Sequence, residues 1–161
     1  MRYLSKEEEK GCIAYIAMAG RYANESTCLR DKCGSVIVNN IRVIGAGFNS
    51  PPGNIESQRR CQKSKGFYHK KVSDRTCCVH AEQRAIMDAL RRNPEKLEGS
   101  RLYFTRVSDT GEIQRSGKPY CTICSKMALD VGIGEFVLWD SKGIVIYDTE
   151  EYNNLSFEYK G

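Results

Sequence analysis

The stretch His80 to Arg92 (HAEQRAIMDALRR) decides the fold once it is set beside Cys121 to Val131 (CTICSKMALDV). In the first, Ala81, Ala85, Ile86 and Ala89 recur at helical spacing, so it reads as a helix with one apolar side. Asn93-Pro94 closes it. The second stretch reads as another helix, with Gly132 as its stop. Both carry reactive residues in their first turn. Cys121 and Cys124 are three positions apart, so on a helix they share a face and can reach one ion. The positive end of the helix dipole favours the thiolate form that a metal needs. Zinc takes four ligands, and a catalytic zinc keeps one position for water, so a third protein ligand is required. The chain holds only two histidines, His69 and His80. His80 stands two residues before Glu82. Such residues do not share a face of a regular helix, so both can serve one pocket only from an irregular first turn. A glutamate there is placed to move protons beside a metal-held water.

Working outward, Ser5 and Glu8 form a capping box ahead of a helix over Glu7 to Tyr22, with Ile13, Ile16, Ala17 and Gly20 near helical spacing. Gly34 to Asn39 (GSVIVN) and Ile41 to Phe48 read as strands joined by a tight turn at Asn39-Asn40. Asn49 to Cys78 is irregular and reads as a long ordered loop. Arg101 to Val107 is a strand, Ser108 to Pro119 is polar and turn-rich, and Glu135 to Trp139 and Ile144 to Tyr147 form a hairpin across Asp140 to Gly143. No repeat, low-complexity tract or linker breaks the chain. The order predicts one α/β domain over residues 1–161, with helices on the faces of a mixed sheet.

The 161 residues suit one hydrophobic core. No apolar run reaches ~18 residues, so no membrane-spanning helix is expected. Met1 to Lys10 is polar and acidic and lacks the features of a signal peptide, so a cytoplasmic location is expected. In that reducing setting the eight cysteines point to metal ligands or reactive thiols rather than disulfides. The net charge of +5 favours phosphate-bearing partners without demanding nucleic acid.

His80-Ala81-Glu82, followed by Pro119-Tyr120-Cys121-Thr122-Ile123-Cys124, resembles the signature of the zinc-dependent cytidine and deoxycytidylate deaminases, H-x-E then P-C-x-x-C. The resemblance runs from about Thr27 to Tyr147 and takes in Cys28-Leu29-Arg30, the GSVIV strand and Gly47-Phe48-Asn49. It implies a three-layer α-β-α fold with a five-stranded mixed sheet. It implies a catalytic zinc held by His80, Cys121 and Cys124, with water in the fourth position. Glu82 would move the protons while water displaces ammonia from the base. Asn49 would contact the substrate sugar or base, the Ala81 backbone the pyrimidine edge, and Arg30 a substrate phosphate. A homo-oligomer is expected on the same ground.

Three features depart from that pattern. Tyr120 separates Pro119 from Cys121, the segment Val107 to Lys118 is long, and the last two strands are hairpin-joined. An insertion over residues 58–78 carries Arg59, Arg60, Lys63, Lys65, Lys70, Lys71 and Arg75 with Phe67 and Tyr68. Such a stretch can bind phosphates and stack bases, or simply be solvated. Cys61, His69, Cys77 and Cys78 lie in or beside it, and Cys28 and Cys33 come earlier. These are ligand types for a second, structural zinc, which some deoxycytidylate deaminases carry. Trp139, Tyr147 and Tyr152 read as packing residues, and Cys12 as core. The expectation is a hydrolytic deaminase of a cytosine nucleotide (dCMP or CMP type). The alternatives are action on cytosine or adenine in single-stranded DNA or RNA, and a non-catalytic zinc-stabilised interaction module.

Overall fold

The computed structural model describes residues 1–161. Helix α1 (Lys6–Asn24) opens with the expected capping box: the Glu8 N–H donates to Ser5 Oγ, and the Ser5 N–H donates to the Glu8 carboxylate. Strands β2 (Lys32–Asn39) and β3 (Arg42–Phe48) form the expected hairpin. The two turn residues are Asn40 and Ile41, one position later than the sequence suggested, with φ of 45° and 64°. Positive φ at both is the primed turn that matches strand twist.

Helix α2 (Ala81–Arg92) leads to β4 (Arg101–Val107), which pairs antiparallel with β2. Helix α3 (Thr122–Asp130) leads to β6 (Glu135–Trp139), parallel to β4 over Arg101–Tyr103. Strand β7 (Ile144–Asp148) returns antiparallel to β6, so the expected terminal hairpin is present. The five expected strands are the body of a seven-stranded sheet. The additions are β1 (Arg2–Tyr3) on the β7 edge and β5 (Ile113–Gln114) against the end of β4. Two-residue strands are too short to show any period in a sequence.

Strand alternation sorts the side chains into two cores. On one face Val36, Val38, Tyr103 and Ile144 pack under Cys12, Ile16 and Ala19 of α1. On the other, Ile37, Leu102, Phe136 and Leu138 pack under α2 and α3. This is the predicted α-β-α layering. A fourth helix, α4 (Thr149–Glu158), was not foreseen. Its sequence is mostly polar, and it starts because the Asp148 carboxylate accepts the Glu150 N–H at 2.9 Å. It is held by Tyr152, whose ring stacks on Phe136 at 3.9 Å and meets Tyr147 edge-on at 5.8 Å. Tyr147 and Tyr152 are packing residues, as read from the sequence, and Cys12 is core. Trp139 is half-buried beneath the Arg115 guanidinium at 4.2 Å.

Gly34 permits the tightest contact between layers, since a Cβ there would lie 2.0 Å from the Ala19 carbonyl oxygen of α1. Gly11, within α1, has open space around the same position. The two glycines should therefore respond with opposite sign to alanine. Gly34→Ala is expected to destabilise by about 1–3 kcal/mol through overpacking. Gly11→Ala is expected to stabilise by about 0.5–1 kcal/mol through helix propensity. Urea midpoints of the two variants check this.

Candidate active site

The site forms where α2 and α3 begin. His80 precedes α2 in an extended conformation (φ −70°, ψ 153°), outside the helical turn. Its N–H donates to Gln83 Oε1 at 3.0 Å, and the Gln83 amide reaches Met127 Sδ of α3 at 3.6 Å. That pair fixes the start of α2 and leaves the imidazole free to face α3. Cys121 caps α3, its sulfur accepting the Cys124 N–H at 3.4 Å. The His80 Nδ1 lies 3.2 Å from Cys121 Sγ and 3.3 Å from Cys124 Sγ, and the two sulfurs are 3.0 Å apart. One imidazole nitrogen and two buried thiols thus converge, a donor set that suits zinc with one position left open. The sulfur contact with Cys124, reinforced by His80, holds the Cys121 thiol down to about 4. The same contact, with burial, raises the Cys124 thiol, so within the pair Cys121 carries the thiolate and Cys124 keeps its proton.

Glu82 follows on the first turn of α2 and is 4% exposed. Burial pushes its carboxyl up to about 7, and the nearby Cys121 charge adds to the rise. The carboxyl can therefore hold or release a proton near neutrality. A pocket of about 340 Å³ opens over these groups. His80, Glu82, Cys121, Ala81, Asn49 and Arg30 all line it, so six of the seven residues singled out in the sequence share one cavity. The seventh, Cys124, lies fully buried behind Cys121.

Asn49 is locked rather than free. Its Oδ1 accepts from Ser26 Oγ (2.6 Å) and the Cys33 N–H (2.8 Å), and its Nδ2 donates to the Asp31 carbonyl (2.8 Å). One Nδ2 hydrogen is left over. Arg30 stands exposed at the rim, its guanidinium donating to the carbonyls of Cys61 (2.9 Å) and Lys63. It therefore braces the insertion as well as facing the pocket. Lys65, Phe104, Arg106 and Tyr120 also line the pocket. Phe104 and Arg106 had no place in the site read from the sequence, and Lys65 figured there only as part of the basic insertion. A signal for Arg106 exists in the sequence: it continues the inward row Leu102, Phe104 of an alternating strand.

A second thiol group forms behind the insertion. Cys28, Cys61 and Cys78 bring their sulfurs within 4.8 Å of one another. Cys77 Sγ lies 3.4 Å from Cys61 Sγ and accepts the Arg60 N–H. The expectation for His69 does not hold. His69 is exposed, and its Nδ1 accepts the Lys71 N–H within its own loop. Cys33, at the other side of the pocket, is likewise outside this group.

Comparison with known proteins agrees with this geometry. The family model for the cytidine and deoxycytidylate deaminase zinc-binding region matches residues 10–139, and the chain belongs to this family. The deoxycytidylate deaminase of Mycobacterium phage D29 is 34% identical over 129 residues, covering 76% of this chain and 89% of the relative. Two solved structures share the fold. One is the dCMP deaminase of cyanophage S-TIM5 in complex with dCMP and dUMP, with TM-score 0.55 and 23% identity over 83% of this chain and 82% of that one. The other is the cytidine deaminase of Burkholderia pseudomallei, with TM-score 0.55 and 16% identity over 87% and 94% of the two chains. No helix is long and apolar enough to cross a membrane.

The three bonds to Asn49 give a stability prediction. Asn49→Ala orphans the buried Cys33 N–H, while the Ser26 hydroxyl keeps its bond to the residue-49 carbonyl at 2.7 Å, and the change should cost about 1–3 kcal/mol. The measurement is a lowered urea midpoint at unchanged m-value.

Proposed function

We propose that the protein is a zinc-dependent hydrolytic deaminase that converts a cytosine nucleotide, of dCMP or CMP type, to the uracil nucleotide and ammonia. The observation that carries this reading is the buried Glu82 carboxyl beside the His80, Cys121 and Cys124 donors, in a pocket of nucleotide size. A zinc held by those three residues would supply a nucleophilic water at neutral pH. Glu82 takes one proton from the attacking water and delivers it to the ring nitrogen, where it stays; it then takes the second proton, from the hydroxyl now on the ring carbon, and delivers it to the departing amine. The first N–H groups of α2, beginning at Ala81, have no partner within the helix and are free to donate to the pyrimidine edge. Asn49, rigid through its three bonds, offers its remaining Nδ2 hydrogen to the sugar. Water closes the balance: it adds at the carbon bearing the amino group, and ammonia leaves.

A free nucleotide is favoured over a polynucleotide by the small size of the cavity and the charge at its rim. Phe67 carries the Lys63 ammonium over its ring at 4.4 Å and meets Tyr68 edge-on at 5.4 Å. These contacts orient the two rings without covering them, since Phe67 stays 66% exposed. Arg30 and Lys65 leave positive charge at the rim of a small cavity, which suits one phosphate. The non-catalytic module loses ground because Glu82 is buried in the same cavity as the donors.

We assign the second thiol group, Cys28, Cys61, Cys77 and Cys78, to a structural zinc. Cys28, Cys61 and Cys78 already lie within 4.8 Å of one another, and Cys77, 3.4 Å from Cys61, would turn in as the fourth ligand; separations of 3.4 and 3.6 Å approach the ~3.8 Å edge of a tetrahedron of Zn–S bonds.

Metal analysis of purified protein should then find two zinc ions per chain, and one in Cys78→Ser. A single ion in the unaltered protein overturns the structural site. Glu82→Gln should keep the full metal content and lose deamination of dCMP by about 10²–10⁴-fold. Retained turnover in that variant would show that Glu82 is not the proton carrier.

A further inference from the structure

The segment between β4 and Cys121 is the part of the chain that the shared signature leaves unexplained, and it converges on Arg106. Arg106 ends the inward row of β4, beyond Leu102 and Phe104, where the core gives way to the pocket. Its backbone is paired on both edges, with Cys33 of β2 on one side and Gln114 of β5 on the other. The β5 strand exists only because the segment is long. Arg106 is therefore a cation fixed on a rigid strand, unlike Arg30 and Lys65, which sit on exposed loops.

Its guanidinium is also aimed. One terminal nitrogen donates to the Tyr120 hydroxyl at 2.9 Å, and the other lies 3.5 Å from the Asp31 carboxylate. The Nε–H is shielded from water and has no hydrogen-bond partner within range, the Cys33 thiol being the further polar neighbour of this guanidinium. Tyr120 is the residue that interrupts the shared signature, directly before Cys121. A buried N–H without an acceptor is a standing cost that a ligand oxygen would remove. The edge of a guanidinium carrying Nε presents parallel donors that match two oxygens of a phosphate.

We infer that Arg106 is a specificity-determining residue that receives the substrate phosphate, and that Tyr120 and Asp31 hold its guanidinium in position. This rests on the nucleotide-deaminase reading above and adds the group that separates nucleotide from nucleoside. Lysine cannot reproduce the fork, so Arg106→Lys keeps the charge but only part of the recognition.

The test is the ratio of kcat/KM for dCMP to kcat/KM for deoxycytidine, measured on zinc-loaded protein. Arg106→Gln should lower this ratio by about tenfold or more, mainly through KM for dCMP, and Arg106→Lys by less. An unchanged ratio, or equal losses on both substrates, overturns the inference. A parallel arm measures dUMP and deoxyuridine binding by calorimetry. Arg106→Gln should weaken dUMP the more, and equal weakening counts against the inference. If the unaltered protein turns over neither substrate, the deaminase reading fails, while the binding arm still decides the role of Arg106. Thermal melting of both variants identifies loss of fold, and Arg106→Lys carries the decision if Arg106→Gln does not fold.

Discussion

Everything at the site depends on two helix starts being brought to the same end of one sheet. Strands β3 and β4 both lie antiparallel to β2, so they run parallel to each other, and β6 runs parallel to β4. A helix that joins parallel strands must begin where the first strand ends. Helix α2 therefore starts beyond β3 and α3 beyond β4, on the same face and at the same edge. Gly47 sets the depth, because a Cβ there would lie 2.8 Å from the Ala81 carbonyl and 2.7 Å from the Ala85 nitrogen. With α2 seated this closely, His80 comes within 3.3 Å of both sulfurs. His80 thus meets a cysteine pair that lies more than forty residues further along the chain.

That arrangement explains which parts of the molecule could be read from the chain. Helices α1 to α3 and five strands announce themselves because each carries its own period or cap. Helix α4 does not, since it is held by a ring stacked on Phe136, a partner sixteen positions away that no local pattern reveals. The site divides in the same way. His80, Glu82, Cys121 and Cys124 lie in short local motifs and were legible. Arg106 and Phe104 enter the pocket only through strand pairing, so their residue types alone gave no assignment, and Lys65, read from the sequence only as part of a basic stretch, is brought there by loop closure.

The eight cysteines show the same limit. Residue type and proximity in sequence suggested His69 as a companion of Cys61, Cys77 and Cys78. Folding instead brings in Cys28, from a loop some thirty residues earlier, and leaves His69 in solvent. A long loop costs entropy to close, and that cost grows only slowly with length. The position of its anchor therefore matters more than its length. The Arg30 bonds to the carbonyls of Cys61 and Lys63 anchor the insertion beside the pocket, where the Cys28, Cys61 and Cys78 sulfurs gather. They turn a polar stretch into a wall of the cavity, with Lys65 facing inward.

The long segment before Cys121 follows the same logic with a different anchor. It leaves β4 at Val107, turns back through Ser108 to Glu112, and pairs again with β4 through β5. It then reaches across to Trp139, whose carbonyl accepts the Gly117 N–H at 3.0 Å, and a Cβ at Gly117 would crowd that contact. Both ends of the excursion are therefore tied to the sheet, and the chain re-enters α3 where a short link would have delivered it. The extra length is absorbed at the sheet edge and leaves the cysteine pair in register with His80. What it changes is the wall of the pocket, by adding a second partner strand beside Arg106 and placing Tyr120 against its guanidinium. The convergence of His80 with the cysteine pair and the wall of the pocket are thus separable features of one fold: crossover topology fixes the first, and an edge insertion can reshape the second without disturbing it.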